Sequence, residues 1–360
     1  MLDVTYDYEK AFGDAPFGPD REERGIWRYR SLLPVRADVP PVTMGEGDTP
    51  LLPAGRLAEP LRHEAVYIKN ETVNPTLSFK DRPVSVAVTV ARQFQMGGVV
   101  TASTGNTGVA AAAYAARAGM TCSVYVPKGT SEAKLSLMRA HGAHLREIDG
   151  TFSDAYVVAE REAREKGFFN LTSTFLNPYG VEGDKTLAYE VCQQLGGAPA
   201  WVVIPIGAGP LLVGCFKGFG ELRAAGQIAT LPRMVGVQAR NCAPIVRAFE
   251  RGSDEVEPWG EPRTIASGIA DPLTSYPQDG TRTLRTIRQS EGRAVSVSDE
   301  EISECVKALA EQEGILAEAA AATSVAAAAN MVRDGLVRPT DSVVCVVTGH
   351  GLKDLVPRRK

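Results

Sequence analysis

Four stretches of the chain hold residue types and spacings suited to chemistry. The first is Asn74-Pro-Thr-Leu-Ser-Phe-Lys80-Asp-Arg82, where a loop feeds an apolar helical pattern. A lysine at a helix start, with a partly buried stem, has its ammonium disfavoured by desolvation and by the positive helix end. Such a side chain offers a neutral amine to a carbonyl, as a Schiff base requires. A solvated lysine in a Lys-Asp-Arg first turn is the alternative. The second stretch, Thr101-Ala-Ser-Thr-Gly-Asn-Thr-Gly108, joins a strand pattern to an Ala-rich helix. Hydroxyls and backbone amides at a helix N-terminus suit an anion such as a carboxylate, and they suit ordinary capping equally.

The third stretch, Ile204-Pro-Ile-Gly207-Ala-Gly209-Pro-Leu-Leu-Val-Gly214, is again strand, glycine-rich turn and helix. Backbone amides and the helix dipole make such a turn a cradle for a phosphate. It also resembles a loose dinucleotide fingerprint, which wants an acidic residue about 20 residues further on. The next strand here ends Gln238-Ala-Arg240. That counts against a nicotinamide oxidoreductase and favours a phosphate without a dinucleotide. In the fourth stretch the apolar run Val344-Cys-Val-Val ends in Thr348 and a Gly-His-Gly turn. Ligands of open α/β sheets bind at the carboxyl ends of strands, so Thr348 stands either at a ligand or as a simple strand cap. Amine, carboxylate turn, phosphate turn and strand-end hydroxyl together are the set that pyridoxal 5'-phosphate needs. His141 and His144 have no evident third partner, so no metal site is expected.

These stretches need a scaffold of alternating strands and helices. Strands are expected at 66–70, 98–102, 121–126, 145–148, 168–171, 201–206, 234–238 and 342–347. Helices are expected at 79–96, 107–118, 131–141 (starting at Ser131), 154–166, 184–195, 211–225, 300–313 and 318–334. Continuous Val/Ile runs spaced by helices indicate parallel sheets buried on both faces in an α/β protein. Residues 1–50 carry Pro16, Pro19, Pro34, Pro40 and Pro41 and read as an irregular arm over a domain. Residues 53–60 and 252–262 read as loops.

The 360 residues suit about two domains. With 39 basic and 43 acidic side chains the net charge is −4, so no cationic excess is available for a nucleic-acid partner. No apolar run reaches the roughly 18 residues of a membrane span. The candidate 317–331 is mostly Ala and is broken by Glu318, Thr323, Ser324 and Asn330. The acidic N-terminus lacks an apolar signal region. The scattered Cys122, Cys192, Cys215, Cys242, Cys305 and Cys345 read as reduced core residues of a cytoplasmic protein. The basic tail 358–360 (Arg358-Arg-Lys360) reads as solvated.

In combination and order, five motifs resemble the threonine synthase family of fold-type II pyridoxal phosphate enzymes. Gly45-Glu-Gly-Asp-Thr-Pro-Leu51 is similar to the family's G-E-G-x-T-P-L, and the segment around Lys80 to N-P-T-G-S-F-K-D-R. Ala102-Ser-Thr-Gly-Asn-Thr107 is similar to A-S-T-G-N-T, and Glu182-Gly-Asp-Lys-Thr-Leu-Ala188 to E-G-Q-K-T-L-A. Thr348-Gly-His-Gly-Leu-Lys-Asp354 matches T-G-H-G-L-K-D. The likeness covers about residues 45–354. It implies an α/β fold of two open, twisted parallel-sheet domains. Residues 1–85 plus 179–360 would be the large cofactor-binding domain, and 86–178 a small mobile domain closing over substrate.

The resemblance also implies roles. Lys80 would hold pyridoxal 5'-phosphate as a Schiff base and then act as the mobile acid/base. Phe79 would pack beside the ring, and Asn106 would hydrogen-bond the 3-oxygen. Gly207, Ala208, Gly209, Pro210 and Leu211 would bind the phosphate, and Thr348 would face the ring nitrogen. Ser103, Thr104, Asn106 and Thr107 would hold a small amino acid substrate. A homodimer is implied by the same analogy.

The departures bear on the substrate. The family's N-P-x-R-L supplies an Arg toward the phosphate of O-phosphohomoserine. This chain reads Asn177-Pro-Tyr-Gly180-Val, and Gly180 has no guanidinium to offer. Thr174 and Phe175 align where the family offers Asn and Ser. Leu77 and Pro83 replace glycines, and G-N-x-G-N has become Gly207-Ala-Gly-Pro-Leu211. The expectation is a threonine-synthase-like lyase acting by β/γ-elimination and replacement, with a pocket altered from O-phosphohomoserine. A genuine threonine synthase, a serine/threonine dehydratase and a non-catalytic binding relative stay open, though the presence of Lys80 speaks against the last.

Overall fold

The computed structural model describes residues 2–8, 23–130, 132–172 and 174–354. Pro16, Pro19, Ser131 and the tail 358–360, singled out above, lie outside them. After a 3₁₀ segment at Gly25–Leu32 come β1 (Leu51–Pro53), α1 (Gly55–Ala58), β2 (Val66–Asn70), α2 (Asp81–Gln93), β3 (Gly98–Ala102) and α3 (Asn106–Ala118). Next are β4 (Thr121–Pro127), α4 (Glu132–Ala140), β5 (His144–Ile148), α5 (Phe152–Lys166), β6 (Phe169–Asn170), α6 (Pro178–Asp184) and α7 (Thr186–Leu195). The remainder is β7 (Trp201–Pro205), α8 (Pro210–Ala224), β8 (Arg233–Ala239), α9 (Pro244–Glu250), α10 (Pro277–Gln289), β9 (Arg293–Val297), α11 (Asp299–Glu313), α12 (Ala319–Arg333) and β10 (Val343–Val347).

Contacts divide the chain into two compact α/β units. One comprises Met1–Asp48, Asn74–Thr186 and Lys353–Lys360; the other comprises Thr49–Val73 and Leu187–Leu352. The first holds a four-stranded sheet in the order β5-β4-β3-β6, all parallel. The second holds a six-stranded sheet, β1-β2-β10-β7-β8-β9, parallel except for the edge strand β1. β3, β7 and β10 are buried along their whole length. Both faces of these strands are covered, so they read as unbroken apolar runs rather than alternating ones.

Segment 86–178 lies wholly inside the first unit, which extends beyond it because α2 and α6 pack together. A Cβ at Gly183 of α6 would stand 2.3 Å from the carbonyl oxygen of Arg82. Only glycine admits that approach, which explains the glycine of the Glu182-Gly-Asp-Lys run.

Several expected elements are corrected. The helix expected from Phe79 starts at Asp81 and ends at Gln93, because Gln95 turns left-handed at φ 55°. Two helices meet at Lys185: α6, which was not expected, and α7, which is the helix expected at 184–195. The first was legible in Asn177, whose Oδ1 accepts from the Gly180 amide at 3.3 Å, followed by Pro178 at the first helical position. The stretch expected as a loop at 53–60 contains α1, and α9, α10 and β9 were not anticipated.

One buried group gathers the first unit together. Glu46 is fully buried, and five groups approach its carboxylate. The Trp27 indole N–H donates to Oε1 at 2.8 Å, and the Ser85 hydroxyl reaches the same oxygen. Thr43 Oγ1, the Met44 amide and the Tyr114 hydroxyl donate to Oε2 at 3.1, 3.0 and 2.8 Å. Burial pushes the Tyr114 phenol far up, so it stays protonated as a donor. Each donor left without its acceptor costs about 1–3 kcal/mol. Glu46→Ala should therefore lose at least about 3 kcal/mol in urea unfolding, and the shape-preserving Glu46→Gln should lose less.

Candidate active site

In the first unit Lys80 is the N-cap residue of α2, half-buried, with Nζ 4.3 Å from the centre of the Phe79 ring. Lysine and helix start thus coincide as expected. The loop leading to it is unusual. Leu77, at a position where the family motif has glycine, has φ 62°, the left-handed region that bulky residues avoid. Its amide donates to the Asn74 carbonyl at 2.7 Å, and Asn74 Oδ1 accepts from the Gly47 amide at 3.0 Å. Asp81 closes the loop: its carboxyl accepts from the Thr76 amide at 2.8 Å and from the Thr76 hydroxyl at 2.6 Å. Ser78 Oγ, two residues before the lysine, is buried and has no hydrogen-bond partner among the described residues.

The turn expected to hold a carboxylate leaves the carboxyl end of β3 and opens α3. Ser103 Oγ accepts from the amides of Gly105 and Gly108 at 3.2 and 3.0 Å, which uses its lone pairs and leaves its proton available. Asn106 and Thr107 are the first two residues of α3; Ser103 and Thr107 are buried, and Thr104 and Asn106 half-buried. The first amides of a helix have no acceptor within it and carry the positive end of its dipole.

In the second unit β7 and β10 are parallel neighbours, and both end at the same edge of the sheet. The turn of Gly207, Ala208, Gly209, Pro210 and Leu211 follows β7, and buried Thr348 follows β10. Gly209 is the N-cap of α8 at φ 95°, and Pro210 occupies the first helical position. A Cβ at Gly209 would lie 2.4 Å from Thr283, so the turn excludes any other residue there. The Gly207 carbonyl accepts from Gln238 Nε2 at 3.4 Å, and the Ala208 carbonyl accepts from the Thr283 hydroxyl at 2.6 Å. In a trans peptide the N–H points opposite to the C=O. The amides of Ala208 and Gly209 are therefore directed away from those partners, as an anion cradle requires.

Gln238, noticed in the sequence only as a missing acid, has two structural tasks. Besides the turn, it accepts from the amides of Ile245 and Val246 at 2.9 and 3.2 Å. Neither it nor Thr283 carried a legible signal, because both act through backbone groups distant in sequence. The six cysteines are buried, as expected. Burial pushes the thiols of Cys122, Cys192, Cys242 and Cys305 up to about 12, which leaves them poor nucleophiles. His141 and His144 are both exposed. No described helix is long and apolar enough to cross a membrane.

Each unit by itself offers groups suited to part of a phosphorylated carbonyl cofactor: in the first an amine beside an aromatic ring and a buried hydroxyl without a partner among the described residues, in the second a turn whose amides point away from its carbonyls' partners. Comparison with known proteins agrees. The family model for pyridoxal-phosphate dependent enzymes matches residues 42–349. The chain is 39% identical to the threonine synthase of Methanocaldococcus jannaschii over 98% of its length and 87% of that protein. It is 39% identical to the threonine synthase of Methanosarcina acetivorans over 98% of its length and 86% of that protein. Maize serine racemase shares the fold, with a TM-score of 0.71 at 20% identity over 84% of this chain and 88% of that one. The chain belongs to the pyridoxal-phosphate dependent enzymes and, within them, to the threonine synthase family. Its fold is that of fold type II, and its cofactor is pyridoxal 5'-phosphate.

Asp81 beside the lysine gives a pH signature. Burial outweighs its bonds to Thr76 and raises its carboxyl from 3.8 to about 7. The native state therefore holds a proton that the unfolded chain releases near pH 3.8. The stability this adds is complete below about pH 4 and is lost as the pH rises toward 7. Melting temperatures measured from pH 4 to 8 should fall less steeply in Asp81→Asn than in wild type.

Proposed function

We propose that this enzyme carries out β/γ-elimination or replacement on a small amino acid whose distal group is not a phosphate. Gly180 carries the reading. It is buried in the first turn of α6, and a Cβ there would make only ordinary contacts, 3.5 Å to Pro83 and 3.9 Å to Asn177. Sterics do not demand glycine, so the missing guanidinium is a chemical difference from the family motif. Lys185, the next cation along the chain, is occupied: Nζ lies 2.7 Å from Glu182 and 4.0 Å from the centre of the Tyr6 ring. A phosphate dianion held without a bidentate partner loses both energy and orientation.

Bound pyridoxal phosphate supplies an aldehyde and an electron-withdrawing ring. Lys80 would hold the cofactor through its amine, and its Nζ would take the proton from the substrate Cα and pass it to the product or to the departing group as the bond to that group breaks. Phe79 would pack beside the ring, and Asn106 would donate to the 3-oxygen. Ser103, Thr104 and Thr107 hold the substrate carboxylate with the first amides of α3. The turn 207–211 holds the phosphate. Thr348 would give the ring nitrogen a neutral hydroxyl, under which the ring would draw electrons less strongly than with a carboxylate partner. We extend the proposal to a homodimer in the cytoplasm, on the family likeness alone.

A second reading, a genuine threonine synthase, is favoured by the names of relatives 39% identical over 98% of the chain. Phosphate release from O-phosphohomoserine by the cofactor-loaded protein, with analysis of the amino acids formed, decides between them. The proposal predicts release at least about tenfold slower than by the M. jannaschii enzyme, and a gain in Gly180→Arg. Threonine formed at a comparable rate would establish the second reading instead.

A further inference from the structure

We infer that Lys353 and Asp81 are positioning residues for Lys80, clamping Thr76 from two sides and so holding the strained loop that presents the amine. The inference rests on the role proposed for Lys80. All three polar groups of Thr76 are engaged. Its amide and hydroxyl donate to Asp81 at 2.8 and 2.6 Å, and its carbonyl accepts from Lys353 Nζ at 3.0 Å. Asp81 and Lys353 are themselves buried, so all three bonds are shielded from competing water.

The clamp has a reason to exist in this chain. The residue after Thr76 is Leu77, at φ 62°. A branched side chain is disfavoured in the left-handed region, and such a conformation persists only where its surroundings over-determine it. Glycine would adopt the same φ freely. Leu77 lies three residues before Lys80, within the loop that ends at the N-cap of α2, so relaxation at Leu77 would redirect the amine. The charged and titratable groups that act on Asp81 are Glu46 and Lys353, and Asp81 in turn acts on Tyr114. Glu46 raises its proton affinity and Lys353 lowers it.

The test uses the holoenzyme and its bound pyridoxal phosphate as the probe. The visible absorbance of the cofactor is titrated with pH, and cofactor dissociation is followed by dialysis. Lys353→Met should move the titration midpoint by at least about half a pH unit and raise cofactor dissociation about tenfold. Leu77→Gly alone should behave as wild type, and added to Lys353→Met it should restore both readouts. Lys353→Arg, which keeps a donor, should retain most of the wild-type behaviour. The isosteric Asp81→Asn carries the same expectation if Lys353→Met does not fold. Wild-type titration and dissociation in Lys353→Met, or a defect that Leu77→Gly does not relieve, would overturn the inference. Lys80→Ala separates the two levels: if it keeps the wild-type absorbance, the role of Lys80 itself fails; if only the clamp variants are silent, the clamp fails.

Discussion

The fully buried carboxylate of Glu46 is the constraint on which the first unit depends. A charge removed from water is tolerable only when fixed polar groups replace the water. Those groups come from four places in the chain: the 3₁₀ segment, residues 43–44, α2 and α3. None of these elements can slide without leaving the charge partly unsatisfied. Ser85 lies early in α2 and Tyr114 farther along α3, so one network sets the register of both helices. Their N-terminal ends carry Lys80 and Asn106. The loop entering α2 is fixed locally as well, through Thr76 and Asp81, and the strained Leu77 sits inside that fixed frame.

The second unit positions its polar groups by other means. Its turn after β7 contains no cation. Gln238 and Thr283 hold the turn's carbonyls, which directs the amides the other way, and α8 adds its dipole. Thr348 emerges from the neighbouring strand as an uncharged hydroxyl. The sheet places both at its carboxyl edge because β7 and β10 are parallel and adjacent.

Much of this was legible in the sequence. Unbroken apolar strands separated by helices gave the α/β class, and hydroxyl- or glycine-rich segments were found, as expected, in turns between a strand and a helix. Residue order along a turn is local information, so the placement of Lys80, Ser103 and Gly209 could be anticipated. What escaped was long-range. Glu46 looked like part of a motif, and nothing local reveals that its partners lie in four separate segments. Gln238 looked like a vacancy in a dinucleotide site, because its task is to hold a turn through that turn's backbone. Leu77 was visible as a missing glycine, but its left-handed backbone was not, since the clamp on Thr76 is closed in part by Lys353, far along the chain. Helix α6 was missed although Asn177 and Pro178 announce it, because the run beyond it is short and rich in glycine.

The central claim is that Lys80 carries the cofactor. Reduction of the holoenzyme with borohydride, followed by peptide mapping, tests it directly. The account predicts a single pyridoxyl label on Lys80, within the peptide that also contains Leu77. A label on another lysine, or a yellow protein that takes up no label, would contradict it.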